Sequence, residues 1–420
     1  MIMLYNIFIL LIQPLVWIRL LWRSKKVPAY RQRWKERYGF CRGKIKPGGI
    51  MIHSVSVGET LAAIPLIKAL VKLYPSLPLI VTTMTPTGSD QVKSVFEKNI
   101  YHVYLPYDLP IIMSRFLRKV NPKLVILMET ELWPNLIKKT YQRGIPLVVA
   151  NARLSTRTSL IYKKFNFFIS QILSCITLIA AQSKEDAARF LELGLKKNQL
   201  AITGNLKFEI SITPELALQA ITLRRQWAPH RPIWIAASTH KGEELLLLKV
   251  HRKLLSRFSN LLLILVPRHP ERFLEVSKIT MKAGFNYIMR SSNKIPTSKT
   301  QVVIGDTMGE LMLLYGIVDL AFIGGSLVNH GGHNPLEAAA NAIPILMGPN
   351  ILNFVDICKK LEKSNGLIPV INATTLVSSI SALLIDKKHR LYSGSQALKV
   401  LQQNQGALQR LLILLKPYLS

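Results

Sequence analysis

The residues with the clearest chemical potential lie at 324–340, in the stretch GGSLVNHGGHNPLEAAA. A predicted apolar strand runs into Gly324, Gly325 and Ser326, and a second glycine pair at 331–332 precedes a predicted helix. Glycines let backbone N–H groups come close to a phosphate, and a helix N-terminus favours negative charge. This stretch therefore predicts a nucleotide-binding loop.

Polar side chains of the same stretch could complete such a site. Asn334 stands where a helix N-cap is expected, Pro335 suits the first helical position, and Glu337 could accept hydrogen bonds from ribose hydroxyls. His330 and His333 are metal-ligand types, but no third ligand stands nearby at metal spacing, which favours a structural or phosphate-facing role. The alternative interpretation is two ordinary glycine loops around a capped helix.

Three glutamates follow two other predicted strands. Glu59 opens a helix after a loop of small residues that includes Ser56 and Gly58, and Glu129 and Glu131 come directly after a buried apolar strand. A carboxylate in such a position could act as a general base. Two alternatives stay open: Glu59 could only complement the helix dipole, and the Glu-x-Glu pair could hold a metal.

Further polar residues end other predicted strands. Because the carboxyl ends of parallel strands meet at one edge of a sheet, we expect these residues on the same side of the fold. A cation at that edge is well placed for a phosphate or a carboxylate. The candidates are Lys207 of GNLKF, Ser238 of AASTHKGEE, Pro267, Arg268 and His269 of LVPRHPER, and Met308 and Gly309 of GDTMGEL.

The elements that must position these residues alternate between strand and helix, which predicts parallel sheets with right-handed crossovers. Six buried strands are predicted in each half of the chain. A last helical region, at about 373–417, is expected to pack on the second sheet or to cross back to the first domain. The predicted strands are 50–53, 79–83, 102–105, 124–128, 146–150, 175–180, 234–238, 261–267, 285–290, 301–305, 318–325 and 343–348, and the clearest helices are 61–74, 183–194 and 243–258.

The N-terminus predicts a membrane anchor. Residues 1–18 carry no charge and precede a basic run, an order that does not fit a cleaved signal peptide. They are just long enough to span a hydrocarbon core, whereas Pro14 and the amphipathic RLLWR also permit a helix within one leaflet. In either case the positive flank keeps the rest of the chain in the cytoplasm. The run comprises Arg19, Arg23, Lys25, Lys26, Arg31, Arg33, Lys35, Arg37, Arg42, Lys44 and Lys46.

Composition sets the remaining limits. The chain has 420 residues, which predicts two domains, and its net charge of +32 indicates an anionic partner: nucleic acid, anionic lipid or an acidic substrate. The three cysteines are far apart and predict isolated thiols in a reducing compartment. We expect an anchor helix at 1–22, a basic juxtamembrane segment at 23–48, and Rossmann-like domains at 49–210 and 211–420.

Nine motifs together make the chain resemble the 3-deoxy-D-manno-octulosonic acid (Kdo) transferases, which add Kdo to lipid A precursor in Gram-negative bacteria. The resemblance covers nearly the whole chain. It implies an α/β GT-B glycosyltransferase fold, with two facing Rossmann-like domains and a cleft between them. The motifs are HSVSVGE, TTMTPTG, METELWPNL, NARLS, GNLKF, AASTHKGEE, LVPRHPER, GDTMGEL and GGSLVNHGGHNPLE.

The resemblance further implies the substrates and the cellular location. CMP-Kdo is the expected donor, and lipid A precursor (lipid IVA), a bisphosphorylated acylated disaccharide, is the expected acceptor in lipopolysaccharide core biosynthesis. The enzyme would work without a metal or cofactor, invert the anomeric centre, and sit at the cytoplasmic side of the cell inner membrane. An anionic membrane surface is therefore an expected partner, and nucleic acid is not.

Site residues carry over from the family by their motifs. Glu59 matches the catalytic base, with Ser56 and Gly58 beside it, and Glu129 and Glu131 match acceptor-side or supporting carboxylates. Some members carry an Arg after the Pro of TTMTPTG, where it would give a basic contact to the acceptor. This chain has Thr87-Gly88 there, so the sequence does not support that contact. The residues expected to bind the donor are Lys207, Ser238, Pro267, Arg268, His269, Met308, Gly309, Gly324, Gly325, Ser326, Asn334 and Glu337.

Two rival functions fit parts of the sequence. Another GT-B protein, such as a UDP-sugar transferase or a sugar-nucleotide epimerase, would share the fold and the glycine-rich loop. A membrane-tethered nucleic-acid binder would use the net charge of +32. Against the second stand the scattered basic residues beyond residue 46 and the absence of RRM, KH or helix-turn-helix sequence signatures.

Overall fold

The computed structural model describes residues 1–41, 43, 45–96 and 100–419, except for the side chain of Lys26. Arg42 and Lys44 of the predicted basic segment lie outside the described residues. The chain divides into two compact units. Unit 1 comprises Met1–Glu209 and Gln405–Ser420, and unit 2 comprises Ile210–Asn404.

Fourteen strands are described, seven in each unit. Those of unit 1 are β1 (Ile50–His53), β2 (Leu79–Thr83), β3 (Tyr101–Tyr104), β4 (Leu124–Met128), β5 (Leu147–Ala152), β6 (Leu178–Ala181) and β7 (Leu200–Ile202). Those of unit 2 are β8 (Ile233–Thr239), β9 (Leu262–Pro267), β10 (Tyr287–Met289), β11 (Val302–Ile304), β12 (Leu320–Ile323), β13 (Ile345–Met347) and β14 (Leu367–Pro369).

Both sheets are parallel throughout their described pairs, as strand–helix alternation predicts. The strand order is β3-β2-β1-β4-β5-β6-β7 in unit 1 and β10-β11-β9-β8-β12-β13-β14 in unit 2. Every predicted strand overlaps an observed one. The two strands that were not predicted, β7 and β14, are three residues long and stand at sheet edges, where a strand needs no long apolar run.

The helices connect the strands and cover the sheets. They are α1 (Ile2–Leu11), α2 (Gln13–Lys26), α3 (Val57–Leu73), α4 (Pro86–Phe96), α5 (Pro110–Val120), α6 (Pro134–Gln142), α7 (Thr156–Lys164), α8 (Asn166–Leu173), α9 (Lys184–Glu192), α10 (Pro214–Trp227), α11 (Glu243–Leu255), α12 (Phe273–Lys282), α13 (Leu311–Tyr315), α14 (Leu336–Ala340), α15 (Val355–Lys363), α16 (Ala373–Ile385), α17 (Lys387–Asn404) and α18 (Ala407–Leu415).

The C-terminal helices divide between the units. α16 and α17 belong to unit 2, whereas α18 lies in the part of the chain that returns to unit 1. There Leu411 and Leu415 are fully buried in the same apolar cluster as Leu206. The predicted second domain, 211–420, therefore ends at 404 in this division, because the apolar face of α18 packs on the first sheet.

The N-terminal anchor takes an unexpected form. Among the described residues, no single helix is long and apolar enough to cross a membrane. The pair Ile2–Leu11 and Gln13–Lys25 reaches the required length and composition only when taken together, with a bend of 45° between the two helices. Pro14 stands in the first turn of α2, which itself continues beyond the predicted anchor boundary at residue 22.

Candidate functional site

In each unit the candidate residues lie where the strand order reverses direction. That point falls between β1 and β4 in unit 1 and between β8 and β12 in unit 2. Crossovers leave to opposite sides there, so a crevice opens beyond the carboxyl ends of the two strands, and ligands of open α/β sheets bind in it. The topology alone therefore predicts two ligand-binding edges, one in each unit.

Glu59 lies in the first turn of α3, which begins at Val57, four residues before the predicted start at 61. Its carboxylate accepts hydrogen bonds from Val55 N (2.7 Å) and from the Ser56 hydroxyl (2.9 Å). Ser56 Oγ also accepts the Glu59 N–H, which caps the helix. Burial raises the pKa of Glu59, and the charge of Glu129 raises it further. A carboxylate that is fixed in place and made more basic suits a general base.

Glu129 and Glu131 follow β4, as predicted. Glu129 has a left-handed backbone (φ 56°), and its Oε1 forms an ion pair with Lys207 Nζ at 3.4 Å. Burial raises the pKa of Glu131 to about 7, with further contributions from the negative charges of Glu59 and Glu129. The structure thus brings the three predicted carboxylates together. It also places Lys207 beside them in unit 1, although Lys207 was predicted on the donor side.

Three buried polar atoms at the same edge have no hydrogen-bond partner among the described residues. They are His53 Nε2, Trp133 Nε1 and Asn151 Nδ2. The His53 and Trp133 rings meet edge to face at 6.2 Å, and burial lowers the pKa of His53 to about 3. Such atoms are normally paired with protein, water or ligand. Sequence reasoning did not single out these residues, because a lone His, Trp or Asn carries no motif of its own.

In unit 2 a buried glutamate, Glu243, organises the loops. Its carboxylate accepts hydrogen bonds from three backbone N–H groups: His240 (3.0 Å), Gly325 (2.8 Å) and Leu327 (3.1 Å). It therefore ties the start of α11 to the glycine-rich stretch after β12. Sequence reasoning missed Glu243, although its place in the first turn of a helix, after a strand, matches that of Glu59.

The predicted Gly-Gly-Ser turn is shaped by close backbone approach. A Cβ atom on Gly324 would lie 2.6 Å from Ser238 O, and one on Gly348 would lie 2.3 Å from Ser326 O, so neither position admits a side chain. Ser326 is fully buried, and its hydroxyl donates to Ile323 O and accepts from Gly348 N. Ser326 thus holds the turn together with its hydroxyl, and its contact with the donor stays a prediction.

Four histidines gather beside this turn. His240 Nε2 and His333 Nε2 share a hydrogen bond at 2.7 Å, and the His330 ring stacks on His240 at 4.1 Å. His269 meets the His240 ring edge to face at 5.4 Å. Burial lowers the pKa of His240 to about 4 and that of His333 to about 3, so both rings are neutral at pH 7. Within the described residues, no group of three or more His, Cys, Asp or Glu side chains has the geometry to hold a metal ion.

Arg268 supplies positive charge at this edge. It follows Pro267 at the end of β9, and its backbone N–H donates to Thr239 O at 3.0 Å. Within the part of the chain that the structure describes, its guanidinium makes no salt bridge, whereas the nearby Arg272 is paired with Glu244. Arg268 is therefore the cation available to an anionic ligand here.

The HNPLE segment differs slightly from its predicted form. α14 begins at Leu336, with Pro335 as its N-cap, although Asn334 Oδ1 still accepts the Leu336 N–H at 3.1 Å. Asn334 Nδ2 donates to Glu337 Oε1 at 3.3 Å. Burial raises the pKa of Glu337. With five residues, α14 has only a small dipole, which contributes little to binding an anion.

The remaining predicted donor residues also lie at the carboxyl ends of unit 2 strands. Ser238 is part-exposed at the end of β8 with a left-handed backbone (φ 57°), and His269 is exposed after β9. Met308 is exposed and Gly309 has φ +83° with open space around its Cα, both in the loop after β11. The structure therefore gathers eleven of the twelve predicted donor residues in unit 2, the exception being Lys207.

The fold and these two edges define the class of the protein. Its two parallel-sheet α/β units resemble those of GT-B glycosyltransferases. A glycosyltransferase from Rickettsia africae ESF-5 has a TM-score of 0.56 at 15% identity and covers 89% of this chain and 99% of its own. UDP-GlcNAc 2-epimerase from Neisseria meningitidis has a TM-score of 0.55 at 12% identity, over 88% and 100%. At these identities the likeness concerns the fold alone.

Sequence comparison identifies the family within that class. A family model described as 3-deoxy-D-manno-octulosonic-acid transferase (kdotransferase) matches residues 32–210. A 3-deoxy-D-manno-octulosonic acid transferase of Haemophilus influenzae is 49% identical over 419 residues, covering 99% of this chain and 98% of its own. One of Bordetella pertussis is 31% identical over 428 residues, covering 97% of each chain. The chain belongs to the Kdo transferase family and is therefore a glycosyltransferase.

Proposed function

We propose that the chain transfers Kdo from CMP-Kdo to lipid A precursor, with inversion at the anomeric carbon and without a metal. The observation that carries this proposal is the buried Glu59 carboxylate, fixed by Val55 and Ser56 at a ligand-binding edge of a Kdo transferase. The raised pKa of Glu59 makes it a stronger base than a solvated glutamate.

The proposed reaction is a single displacement. Glu59 takes the proton of an acceptor hydroxyl while that oxygen forms a bond to the anomeric carbon of Kdo. The bond from that carbon to the CMP phosphate oxygen breaks, and its electron pair leaves with CMP. Because attack and departure occur on opposite faces, the configuration inverts.

The donor-binding role falls to unit 2. Arg268, without a salt bridge among the described residues, suits the phosphate of CMP or the carboxylate of Kdo. The N–H groups of Gly324 and Gly325 are bonded to Ala237 O and to Glu243, so these glycines serve to shape the turn beside the ligand. Asn334 donates to Glu337, which orients that carboxylate for hydrogen bonds with ribose hydroxyls. Fixed cationic and dipolar groups of this kind stabilise a leaving phosphate, and we therefore propose that no metal is needed.

The acceptor-binding role falls to unit 1. Glu131, Lys207 and the unpartnered polar atoms of His53, Trp133 and Asn151 provide hydrogen-bond partners for a sugar at the edge that carries Glu59. A net charge of +32 favours an acceptor that bears phosphates on an anionic membrane. The exposed apolar side chains of α1 and α2 favour attachment at the cytoplasmic face of the inner membrane.

A direct test supplies both substrates. Protein incubated with CMP-Kdo and lipid A precursor should release CMP and yield an acceptor heavier by one or more Kdo residues in mass spectrometry. NMR of the product should show the anomeric configuration opposite to that of CMP-Kdo. Retention of configuration would contradict the displacement.

Two further measurements test the donor and the metal. CMP should raise the thermal midpoint more than UDP does, and the reverse result would favour a UDP-sugar enzyme, the function suggested by the fold shared with the epimerase. Turnover should persist in EDTA. Loss of activity there, restored by a divalent cation, would make Glu129 and Glu131 metal-ligand candidates again.

A further inference from the structure

The N-terminal helix α1 has its polarity reversed relative to a helix of a water-soluble protein. Its two polar side chains, Tyr5 and Asn6, point toward unit 1, where each makes a hydrogen bond. Its six exposed side chains are all apolar: Met3, Leu4, Ile7, Phe8, Leu10 and Leu11. A helix in water shows the opposite arrangement. Lipid is the environment that suits the outer face of α1.

The polar contacts of α1 lead to the start of α6. Tyr5 OH donates to Asp108 Oδ2 at 2.9 Å, and Asn6 Oδ1 accepts from Asn135 Nδ2 at 2.8 Å. Asp108 in turn accepts the backbone N–H groups of Asn135 (2.8 Å) and Leu136 (2.9 Å), in the first turn of α6. Asp108 and Asn135 are each 2% exposed. The network is buried, so water does not replace a lost partner at low cost.

This network lies close in sequence to the acceptor-side carboxylates. α6 begins at Pro134, three residues after Glu131, and Trp133 precedes it. The Glu129–Trp133 segment is fixed at one end by β4 and at the other by the first turn of α6. Asp108 fixes that first turn through its hydrogen bonds to Asn135 N and Leu136 N. Tyr5 and Asn6 each add a hydrogen bond to this network, one to Asp108 and one to Asn135. The position of α1 therefore affects the position of the segment that carries Glu131.

The apolar outer face continues beyond α1. The Tyr5 ring packs on Phe168 of α8 with centroids 6.2 Å apart. On α7 and α8, Leu160, Ile161, Phe165 and Phe167 are exposed, and so are Arg157, Lys163 and Lys164. α2 likewise exposes Leu15, Trp17, Ile18, Leu21 and Trp22 together with Arg19, Arg23 and Lys25. Apolar side chains flanked by basic ones are typical of segments that lie in the interface of an anionic bilayer.

We propose that α1 lies in the plane of an anionic membrane surface, docked on unit 1 through Tyr5 and Asn6, and that this docking positions the Glu129–Trp133 segment for the acceptor. The positioning role rests on the proposed function, whereas the in-plane arrangement does not. A helix that crossed the bilayer would take Tyr5 and Asn6 away from unit 1, and Asp108 and Asn135 would each lose one hydrogen bond in a buried network.

A consequence is that lipid binding and acceptor binding are linked. Contact with lipid stabilises the apolar outer face of α1, and α1 in its docked position completes the Asp108–Asn135 network. Each binding event therefore favours the other by the same factor. Tyr5 and Asn6 act through Asp108 and Asn135, so they are positioning residues and do not contact the reacting atoms.

The first experiment compares kinetics of the full chain in vesicles of phosphatidylethanolamine and phosphatidylglycerol. Tyr5→Phe combined with Asn6→Ala removes both docking contacts and keeps the Tyr5 ring. We expect the acceptor KM to rise about tenfold, equivalent to ~1.4 kcal/mol, with an unchanged donor KM and unchanged vesicle binding. General destabilisation would lower kcat and leave both KM values unchanged, and that result would overturn the positioning role.

Tyr141→Phe serves as the matched control. It removes a phenol hydroxyl from α6 itself, at a side chain that is 61% exposed and has no side-chain hydrogen bond in the described chain. Both KM values should equal those of the parent. A tenfold rise in acceptor KM for this control would show that any change at α6 has this effect, and would overturn the specific role of α1.

The second experiment measures depth in the same vesicles. In a Trp17→Phe/Trp22→Phe parent, one Trp is added at Leu4 or at Leu21, both exposed positions. The quenching of this parent, which retains Trp34, Trp133, Trp227 and Trp234, is subtracted. Quenching by lipids brominated at defined acyl positions should place both at the same shallow depth. A helix pair that crosses the bilayer would separate them by roughly 25 Å, at ~1.5 Å per residue, and that outcome would overturn the in-plane arrangement.

Amide hydrogen exchange separates failure of this inference from failure of the proposed function. The peptide with Asn135 and Leu136 should exchange faster in Tyr5→Phe/Asn6→Ala than in Tyr141→Phe, whatever reaction the enzyme performs. Unchanged exchange would refute the coupling. If the parent protein transfers no Kdo, exchange and quenching still decide whether α1 docks in the plane of the membrane.

Discussion

The two units carry a glutamate at the same topological place and use it in different ways. Glu59 and Glu243 each lie in the first turn of the helix that follows the first strand of their sheet. The partners of Glu59, Val55 and Ser56, belong to its own turn. Glu243 accepts from three backbone N–H groups on two separate segments. The first carboxylate is fixed by local contacts, and the second holds distant loops together.

This difference shows that position in a fold does not assign a role. The hydrogen bonds that Glu243 accepts come from three backbone N–H groups, so its charge serves the architecture of the loops in unit 2. Burial raises the pKa of Glu59, and the charge of the nearby Glu129 raises it further, which makes Glu59 more basic. Changes at the two positions should therefore have separable effects on catalysis and on stability.

The largest expected effect is on catalysis at Glu59. Glu59→Gln keeps a hydrogen-bond acceptor for Val55 N but cannot take a proton, so kcat should fall about 10³-fold, within the ~10²–10⁴ range for a general base. CMP binding, measured by calorimetry, should remain at the parental value. A variant that keeps more than a few per cent of activity would exclude Glu59 as the base.

The matching change at Glu243 should act on stability. Glu243→Gln leaves at least one of three buried N–H groups without an acceptor, at a cost of ~1–3 kcal/mol. Urea unfolding of the full chain, followed in unit 2, should show this loss, together with weaker binding of CMP, the proposed donor nucleotide. Glu271→Gln, at an exposed carboxylate in the same unit, is the control and should unfold as the parent does. Equal unfolding of both variants would contradict the structural role of Glu243.

A smaller effect is expected at Arg268. Arg268→Gln removes the cation available to the donor, and a hydrogen bond to a charged group contributes ~1.5–3 kcal/mol. The donor KM should therefore rise about 10–100-fold while the acceptor KM stays the same. Arg268→Lys keeps the charge and should recover part of the affinity. An unchanged donor KM in Arg268→Gln would remove Arg268 from the donor site.

The smallest effect concerns pH and Glu131. The pKa of Glu131 in the folded state, about 7, is above its ordinary value of 4.5. Between these two pH values the folded state keeps the carboxyl proton that the unfolded state has lost, so the free energy of unfolding falls as pH rises. Glu131→Gln cannot ionise and should avoid this loss. Its thermal midpoint relative to the parent should increase from pH 4.5 to pH 7, by roughly 2–4 °C for each kcal/mol of this loss, and then stay constant. A difference independent of pH would contradict the raised pKa.

Much of the fold could be predicted because buried parallel strands are continuous apolar runs. All twelve predicted strands have observed counterparts, whereas the short edge strand β7, with one exposed residue, has no such run. The start of α3 was placed four residues late, because the small residues around Gly58 suggested a loop while Ser56 caps a helix there. The packing of α18 on the first sheet could not be predicted, because hydrophobic periodicity shows which face of a helix is apolar but not which sheet it contacts.

The site was less predictable than the fold. Residues with a motif, such as Glu59 and Arg268, were found, and the structure places them at the expected sheet edges. Glu243 was missed because its role depends on N–H groups more than eighty residues away in the chain. Ser326 was singled out by its type; the structure shows that its buried hydroxyl supports the turn, a role that its type alone did not indicate, and its contact with the donor stays a prediction.

The return of α18 to the first sheet has a consequence for how the chain folds as it is synthesised. Leu411, Leu415 and Leu419 are buried in the core of unit 1, so that core is incomplete until residues 411–419 have been made. Unit 2 is one continuous segment, Ile210–Asn404, and has all its residues earlier. Domains generally fold from the N-terminus onward during synthesis. Here the unit that is translated first is completed last, and a stalled or truncated chain would leave the apolar surface under α18 exposed.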